Sequence, residues 1–382
     1  MSAHPRLVAG VGAFGQLGAL ARELGATRAL LVTDPGIVTA GHAGKACDSL
    51  RAAGIVVTVF DQVRENPTTE DVDACLAIAR SATPDLLIGL GGGSAMDAAK
   101  GCNFLLTNGG KMADYWHTGA AVKPLLPFIA VPTTAGTGSE CQSYALITDP
   151  VTHRKMACGD PKALARIALL DPGLTTTQPR RVTAATGLDA IGHAVECLVT
   201  ARRNPVSHLF AREAFVLLHA QLPVVLADPA DLQARAAMQL GAAYAGLAIE
   251  HSMLGAAHAC ANPLTAYFGV IHGEAVALML PAVVAYNAQD PVCAALYAEL
   301  AERAGLIDKH AERDAVSALI LRLNALIDQS SVASLASRGI TDASIAALAD
   351  DAATQWTAAN NPRPVTAVEL AAIYRLALAG RS

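Results

Sequence analysis

Up to about Asp171 the chain alternates short apolar runs with stretches of helical spacing, and after about Arg181 that alternation stops. The runs are 29–34 (ALLVTD), 55–60 (IVVTVF), 85–90 (DLLIGL), 128–133 (FIAVPT) and a weaker one at 167–171. Each has the length of a strand, and most are rich in Val, Ile and Leu. Between them, segments such as 43–53 and 69–82 place apolar residues at helical intervals. Continuous apolar strands separated by helices imply a parallel sheet covered on both faces. Beyond the Pro- and Thr-punctuated stretch 172–182 (PGLTTTQPRRV), long Ala- and Leu-rich segments take over at 182–200, 205–220, 231–249 and 311–327. The pattern predicts an α/β domain over 1–180 and an all-α domain over 181–382, with no internal repeat and no long linker.

Composition excludes several classes. A chain of 382 residues that is 53% hydrophobic and 16% charged can bury a large core, so disorder is not its main state. A net charge of −5 and an aromatic content of 4% offer neither the basic surplus nor the stacking platforms of a nucleic-acid binder. The eight cysteines are scattered with no C-x-x-C, which fits reduced, buried thiols in a cytoplasmic protein. The N-terminus, MSAHPRLVAG, lacks the pattern of a signal peptide. Residues 251–273 carry no Lys, Arg, Asp or Glu and so mimic a membrane segment. They also contain His251, His258, Asn262, Pro263 and His272, each costly in lipid, so the segment reads as a helical interior with something polar to hold.

Two glycine patterns compete for a phosphate. Gly10, Gly12 and Gly15 spell G-x-G-x-x-G, with Asp34 about twenty residues on, as in a dinucleotide fingerprint. The strand before them is short, and a tight turn is the plainer reading. The run into Gly91, Gly92, Gly93 and Ser94 is stronger: a wholly apolar strand meets three glycines and a helix start. There the backbone can approach an anion and the first free N–H groups can point at it. Ser94 is expected to cap that helix, with Asp97 closing a capping box. A third loop, 132–140 (PTTAGTGSE), follows another apolar strand and suggests a shared nucleotide cleft.

The helical half offers metal ligands. Asp189 and His193 are four residues apart, so both leave one helix face. His258 and His272 lie fourteen apart in the charge-free segment, with a break expected at Pro263 between them. One oxygen and three nitrogens suit Fe²⁺, Zn²⁺, Co²⁺ or Ni²⁺. An isolated Asp-x-x-x-His pair is, by itself, more often a surface or capping pair. Glu196, one turn after His193, is either a support for the ligands or a solvated residue.

Taken together, GGGSAMDAAK (91–100), PTTAGTGSE (132–140), GLDAIGHAVE (187–196) and HGEAVALMLP (272–281) resemble the iron-containing (group III) alcohol dehydrogenase family. The resemblance runs from about Leu7 to the C-terminal helices. It implies an α/β dinucleotide-binding domain, a helical metal-binding domain in a dehydroquinate synthase-like architecture, an active-site cleft between them, and a homodimer. The family's metal ligands fall on Asp189, His193, His258 and His272, and its pyrophosphate loop on Gly91, Gly92, Gly93 and Ser94. Thr133, Thr134 and Thr137 match residues around the nicotinamide half, and Asn66, Lys155 and Leu174 match other nucleotide contacts. Asp97 is counted with the cofactor loop. Asp34 matches the acid at the adenosine ribose, which favours NAD over NADP because a carboxylate repels a 2′-phosphate.

The resemblance implies Fe²⁺, with Zn²⁺ as the alternative metal, acting as a Lewis acid on the oxygen of a small alcohol or aldehyde while a hydride passes to or from NAD. This chain departs from the family at Asn262, where many members carry a second histidine four residues after the third ligand, and an amide cannot shuttle protons. His251 sits seven residues before His258, on roughly the same helix face by spacing, and is the candidate to take over that role beside Asn262 and His272. Tyr267 also replaces a common histidine. Tyr267, Asn103 and Tyr144 are candidate pocket residues. The same architecture serves polyol and glycerol dehydrogenases and a dehydroquinate synthase-like lyase. The lyase needs clustered Lys and Arg for its phosphorylated carboxylate, and 251–273 has none. A non-catalytic nucleotide-binding protein with a structural metal is the remaining alternative.

Overall fold

The computed structural model describes residues 4–116, 119–152, 154–307 and 314–380. The chain divides into two compact units, Met1–Gln178 and Pro179–Ser382.

In the first unit strands and helices alternate as β1 (Arg6–Ala9), α1 (Leu17–Glu23), β2 (Arg28–Val32), α2 (Pro35–Thr39), α3 (His42–Ala52), β3 (Val56–Phe60), α4 (Thr69–Ala82), β4 (Leu86–Gly91), α5 (Gly93–Asn108), β5 (Phe128–Pro132), β6 (Tyr144–Thr148), β7 (Lys155–Gly159) and β8 (Ile167–Leu170). Six strands form one parallel sheet in the order β1-β8-β5-β4-β2-β3, and β6 and β7 make a separate antiparallel ribbon. Every residue of β4 and β5 is buried, which is why both read as unbroken apolar runs. Period-two alternation splits their side chains between two layers. Leu30, Leu87 and Phe128 face one layer with Phe104, while Leu31, Leu86 and Ile129 face the other with Leu50.

The chain steps outward from β2 to β3 and returns to the opposite side of β2 with β4. The carboxyl ends of β2 and β4 therefore border the point where strand order reverses, the usual place for a ligand crevice in a doubly wound sheet. By contrast, β1 lies at the sheet edge, with β8, β5 and β4 between it and β2. Gly10, Gly12 and Gly15 follow that edge strand, so they stand apart from Asp34 and form the turn into α1.

The second unit contains α6 (Arg180–Val199), α7 (Pro205–Ala227), α8 (Leu232–Glu250), α9 (Ala256–Phe268), α10 (His272–Asn287), α11 (Pro291–Arg303), α12 (Ala315–Gln329), α13 (Asp342–Thr354) and α14 (Ala367–Ala379). Residues 311–313 of the helix expected at 311–327 lie outside the described residues. The helix α6 runs through the interior, packed by α7, α8 and α10. By length and composition α6 and α7 could cross a membrane, but 89% of the apolar stretch of α6 is buried, as in a core helix.

Two expectations about 251–273 fail. Pro263 does not break the chain: it sits buried inside α9, where packing outweighs the lost backbone hydrogen bond. The break between His258 and His272 comes later, at 269–271, where Gly269 in the left-handed region ends α9, and a second break at 252–255 separates α8 from α9. His251 is the C-cap of α8 and His258 lies on α9, so the two share no helix face.

Candidate functional site

The crevice end of the first sheet is shaped by glycines that nothing else could replace. Gly91 adopts φ 153°, and a Cβ there would lie 2.8 Å from Ala95 Cβ and 3.1 Å from Asp34 Oδ2. A Cβ on Gly93 would lie 2.9 Å from Thr137 Oγ1, and one on Gly92 3.4 Å from Thr134 Cγ2. The glycine loop and the threonine loop thus touch, with Thr133 N–H donating to the Gly91 carbonyl at 2.9 Å and the Gln178 amide donating to the Thr133 carbonyl. Thr134 Oγ1 is buried without a hydrogen-bond partner. The first N–H groups of α5, those of Gly93 and Ser94, precede the first intrahelical bond, which Ala95 N–H makes to the Gly92 carbonyl at 3.2 Å. Such groups form an anion cradle at a helix N-terminus.

The other sequence candidates of this half fall into three groups. Asp34 caps α2 by accepting from Ile37 N–H at 3.0 Å, and its second oxygen faces Gly91. Asn66, in the left-handed region at φ 53°, donates its N–H to Ser94 Oγ at 3.2 Å and accepts from Lys155 Nζ at 3.2 Å, so Asn66, Ser94 and Lys155 are joined. The remaining positions differ from expectation. Gly92, not Ser94, is the N-cap of α5, and no side chain caps it. The capping box fails because three glycines end the turn by backbone geometry, which places Ser94 inside the helix and turns Asp97 inward, where it accepts from Ser139 Oγ at 2.7 Å. Leu174 is buried in the apolar layer with Leu31 and Leu50, and its backbone N–H and carbonyl are bound to Asp171 and Thr177. Asn103 is spent on Leu126, whose N–H and carbonyl it binds at 3.0 and 2.9 Å, and does not line a pocket.

In the second unit, Asp189 and His193 project from α6, His258 from the first turn of α9 and His272 from the start of α10. Glycines again permit the approach. A Cβ on Gly273 would lie 2.0 Å from the Ala185 carbonyl oxygen, and one on Gly192 2.4 Å from Val276 Cγ1. Only with both bare do α6 and α10 come close enough for Asp189 and His272 to meet. The ligand atoms of Asp189, His258 and His272 lie within 4.8 Å of one another. Asp189 Oδ1 is 3.4 Å from His258 Nε2, 3.5 Å from His193 Nε2 and 3.9 Å from His272 Nε2. His193 stands beside the three-residue set, its ring stacked on His258 at 4.9 Å between centroids.

Glu196 resolves to a buried support. Its Oε1 accepts from Ala257 N–H at 2.6 Å and its Oε2 faces His258 Nδ1 at 2.5 Å. A carboxylate at Nδ1 holds a ring proton there and turns Nε2 towards Asp189. Burial alone would push the Asp189 carboxyl up, but His193, His258 and His272 together hold it well below the usual carboxylate range. For His258 burial lowers the pKa, yet Glu196 and Asp189 outweigh it and raise it to about 9. Asp189 Oδ1 and His258 Nε2 are both buried and neither has a hydrogen-bond partner. Buried polar atoms left unpaired are costly. A divalent cation among these N and O donors satisfies both, so the residues present fit Fe²⁺ or Zn²⁺.

His251 and Asn262 are placed differently. The His251 ring lies on Phe210 of α7, 6.4 Å between centroids, and Asn204 Nδ2 donates to its carbonyl at 2.5 Å. Asn262, one turn after His258, donates to Gln355 Oε1 at 3.0 Å, and Gln355 in turn donates to Asp351 at 2.9 Å. Tyr267 is 63% exposed.

The family model for iron-containing alcohol dehydrogenase matches residues 4–172, and that for the C-terminal part of the Fe-containing alcohol dehydrogenase family matches 183–378. The chain is 35% identical over 354 residues to alcohol dehydrogenase 4 of Schizosaccharomyces pombe, covering 91% of this chain and 82% of that one. It is 32% identical over 376 residues to the NAD-dependent methanol dehydrogenase of Bacillus methanolicus, covering 98% of each. Among solved structures, a 1,3-propanediol oxidoreductase superposes with a TM-score of 0.94 at 33% identity over 98% of both chains. The chain belongs to the iron-containing alcohol dehydrogenase family.

Proposed function

We propose that this chain is a metal-dependent, NAD(H)-linked alcohol dehydrogenase and aldehyde reductase acting on a small alcohol or aldehyde. The observation that carries this reading is the pair of buried, unpartnered atoms Asp189 Oδ1 and His258 Nε2, 3.4 Å apart, with Glu196 holding the other side of the His258 ring. Asp189, His193, His258 and His272 would hold Fe²⁺, with Zn²⁺ the alternative. When bound, the metal supplies Lewis-acid polarisation of the substrate oxygen, and the nicotinamide supplies or accepts the hydride.

The chain's own residues do the holding. Glu196 keeps a proton on His258 Nδ1, so that ring offers Nε2 as a donor atom. The N–H groups of Gly93 and Ser94 receive the pyrophosphate, Gly91 lets it approach, and Asp34 accepts from the adenosine ribose, which favours NAD. Thr133, Thr134 and Thr137 belong to the nicotinamide half, with Asn66 and Lys155 joined to Ser94 beside the phosphates. Asn262 orients by hydrogen bonding and carries no proton. Eight buried free thiols support a reducing, cytoplasmic setting. A homodimer is the assembly that the family resemblance implies.

The test is NADH oxidation with a panel of short aldehydes, using anaerobically purified protein stripped of metal and then reloaded with Fe²⁺ or Zn²⁺. Turnover that appears only on reloading supports the reading and identifies the working metal. Turnover equal in stripped and reloaded protein contradicts it.

A further inference from the structure

The loop that carries Thr134 and Thr137 is gripped by two buried charged side chains of α5. Lys100, 1% exposed, shares the three N–H donors of Nζ among four oxygens, the Ser139 carbonyl at 2.6 Å, Ser139 Oγ at 2.8 Å, the Gln142 carbonyl at 2.8 Å and the Tyr144 carbonyl at 2.9 Å. Asp97, one turn earlier on the same helix, accepts from Ser139 Oγ at 2.7 Å and from the backbone N–H of Leu146. Of the carbonyls bound by Lys100, that of Ser139 also accepts from Gln142 N–H at 3.3 Å, so the lysine adds a second bond to a turn the backbone already closes. An apolar side chain at this position would satisfy packing and remove the charged donor that ties Ser139, Gln142 and Tyr144 together.

The grip is transmitted to the glycine loop. Ser139 N–H donates to Thr137 Oγ1 at 3.3 Å, and Gln142 Nε2 donates to the Thr137 carbonyl at 2.7 Å. Both residues that hold Thr137 are themselves held by Lys100. Thr137 in turn presses on Gly93, leaving no room for a Cβ. The helix that begins with Gly93 thus fixes, two turns later, the threonine facing its own first residue.

We propose that Lys100 is a positioning residue for the nucleotide, setting the gap between Gly92–Gly93 and Thr134–Thr137 through Ser139 and Gln142. The inference rests on the reading of Gly91–Ser94 as the phosphate loop. Its class of ligand is a dinucleotide diphosphate held by backbone N–H groups, with the threonine hydroxyls fixed at a set distance from them. Lys100 contributes no charge to that ligand, because its donors are directed at protein oxygens.

The experiment is NADH titration, followed by fluorescence, of the metal-loaded wild type, Lys100→Met and Ser139→Ala, with metal content and steady-state kinetics in parallel. Losing the hub should raise the NADH Kd roughly tenfold, and losing one hydroxyl link roughly threefold. Metal content should stay at the wild-type level, and KM for NADH should rise more than kcat falls. A Lys100→Met protein that melts earlier yet binds NADH with the wild-type Kd would overturn the inference, since that is what a purely structural lysine predicts. If Lys100→Met does not fold, Ser139→Ala decides, and an unchanged Kd there overturns it equally. Wild-type protein that fails to bind NADH would instead bring down the phosphate-loop reading itself.

Discussion

In the first unit the candidate site is made of backbone, and in the second it is made of side chains. Around Gly91–Gly93 the important feature is what is missing: Cβ atoms on Gly91 and Gly93 that would collide with Ala95 and Thr137. Around Asp189 the important feature is what converges: a carboxylate and imidazoles, locked by Glu196 and left with unsatisfied atoms. A backbone cradle suits a large anion that must be touched at many points without a fixed charge. A side-chain cluster suits a small cation that needs few ligands at defined atoms. Yet the second site also depends on glycine, because Gly192 and Gly273 let α6 and α10 close on each other.

That dependence gives the largest expected effect. Gly273→Ala would drive a Cβ to 2.0 Å from the Ala185 carbonyl oxygen and push His272 away from Asp189. It should destabilise the protein by about 3 kcal/mol and lower bound metal together. Thermal unfolding and metal analysis check this, and a variant with unchanged Tm and metal would remove the glycine requirement. Next comes Glu196→Gln, which takes the anionic partner from His258 Nδ1. Metal affinity should fall roughly 10–100-fold while the fold survives. Competition with a chelator measures this, and an unchanged affinity would reduce Glu196 to a helix anchor for Ala257.

The smallest effect lies away from both sites. Burial, with Arg322 adding to it, pushes His219 down from 6.5 to about 4. The folded state rejects a proton that the unfolded chain accepts. His219 therefore contributes fully above about pH 6.5, and its contribution is lost as pH falls towards 4. Between pH 7 and pH 5 the wild type should lose roughly 2–4 °C of Tm relative to His219→Asn. Parallel curves for the two proteins would contradict a buried neutral imidazole.

The two units also differed in how legible they were. Wholly buried strands announce themselves, so β4 and β5 are plain from 85–90 and 128–133. The β6–β7 ribbon was missed because its strands are half-buried: Tyr144–Thr148 alternates buried with partly buried residues, a pattern too short to stand out in a loop. The candidate metal ligands are suggested by type and spacing and singled out by the family resemblance, and Glu196 lies on the same face of α6 as His193. What spacing could not show was where a helix stops. His251 caps the end of α8 and His258 opens α9 after Gly255, which packs against Asn361 Oδ1 and Glu196 Oε1, tertiary contacts with no local signature. Pro263 misled in the opposite direction, since packing kept the helix going. Lys100 was invisible because AMDAAK reads as an ordinary helix turn, and its partners lie some forty residues away.

The central claim is that the nucleotide and metal half-sites are built separately, one of backbone in the first unit and one of side chains in the second. The most direct test measures NADH Kd and bound metal crosswise on Asp189→Ala and Gly93→Ala. The account predicts that Asp189→Ala loses its metal and keeps NADH binding within about twofold, while Gly93→Ala keeps its metal and loses roughly tenfold in NADH affinity. Loss of NADH binding in a metal-replete Gly93→Ala and metal-free Asp189→Ala alike, or retention of metal by Asp189→Ala, would contradict it.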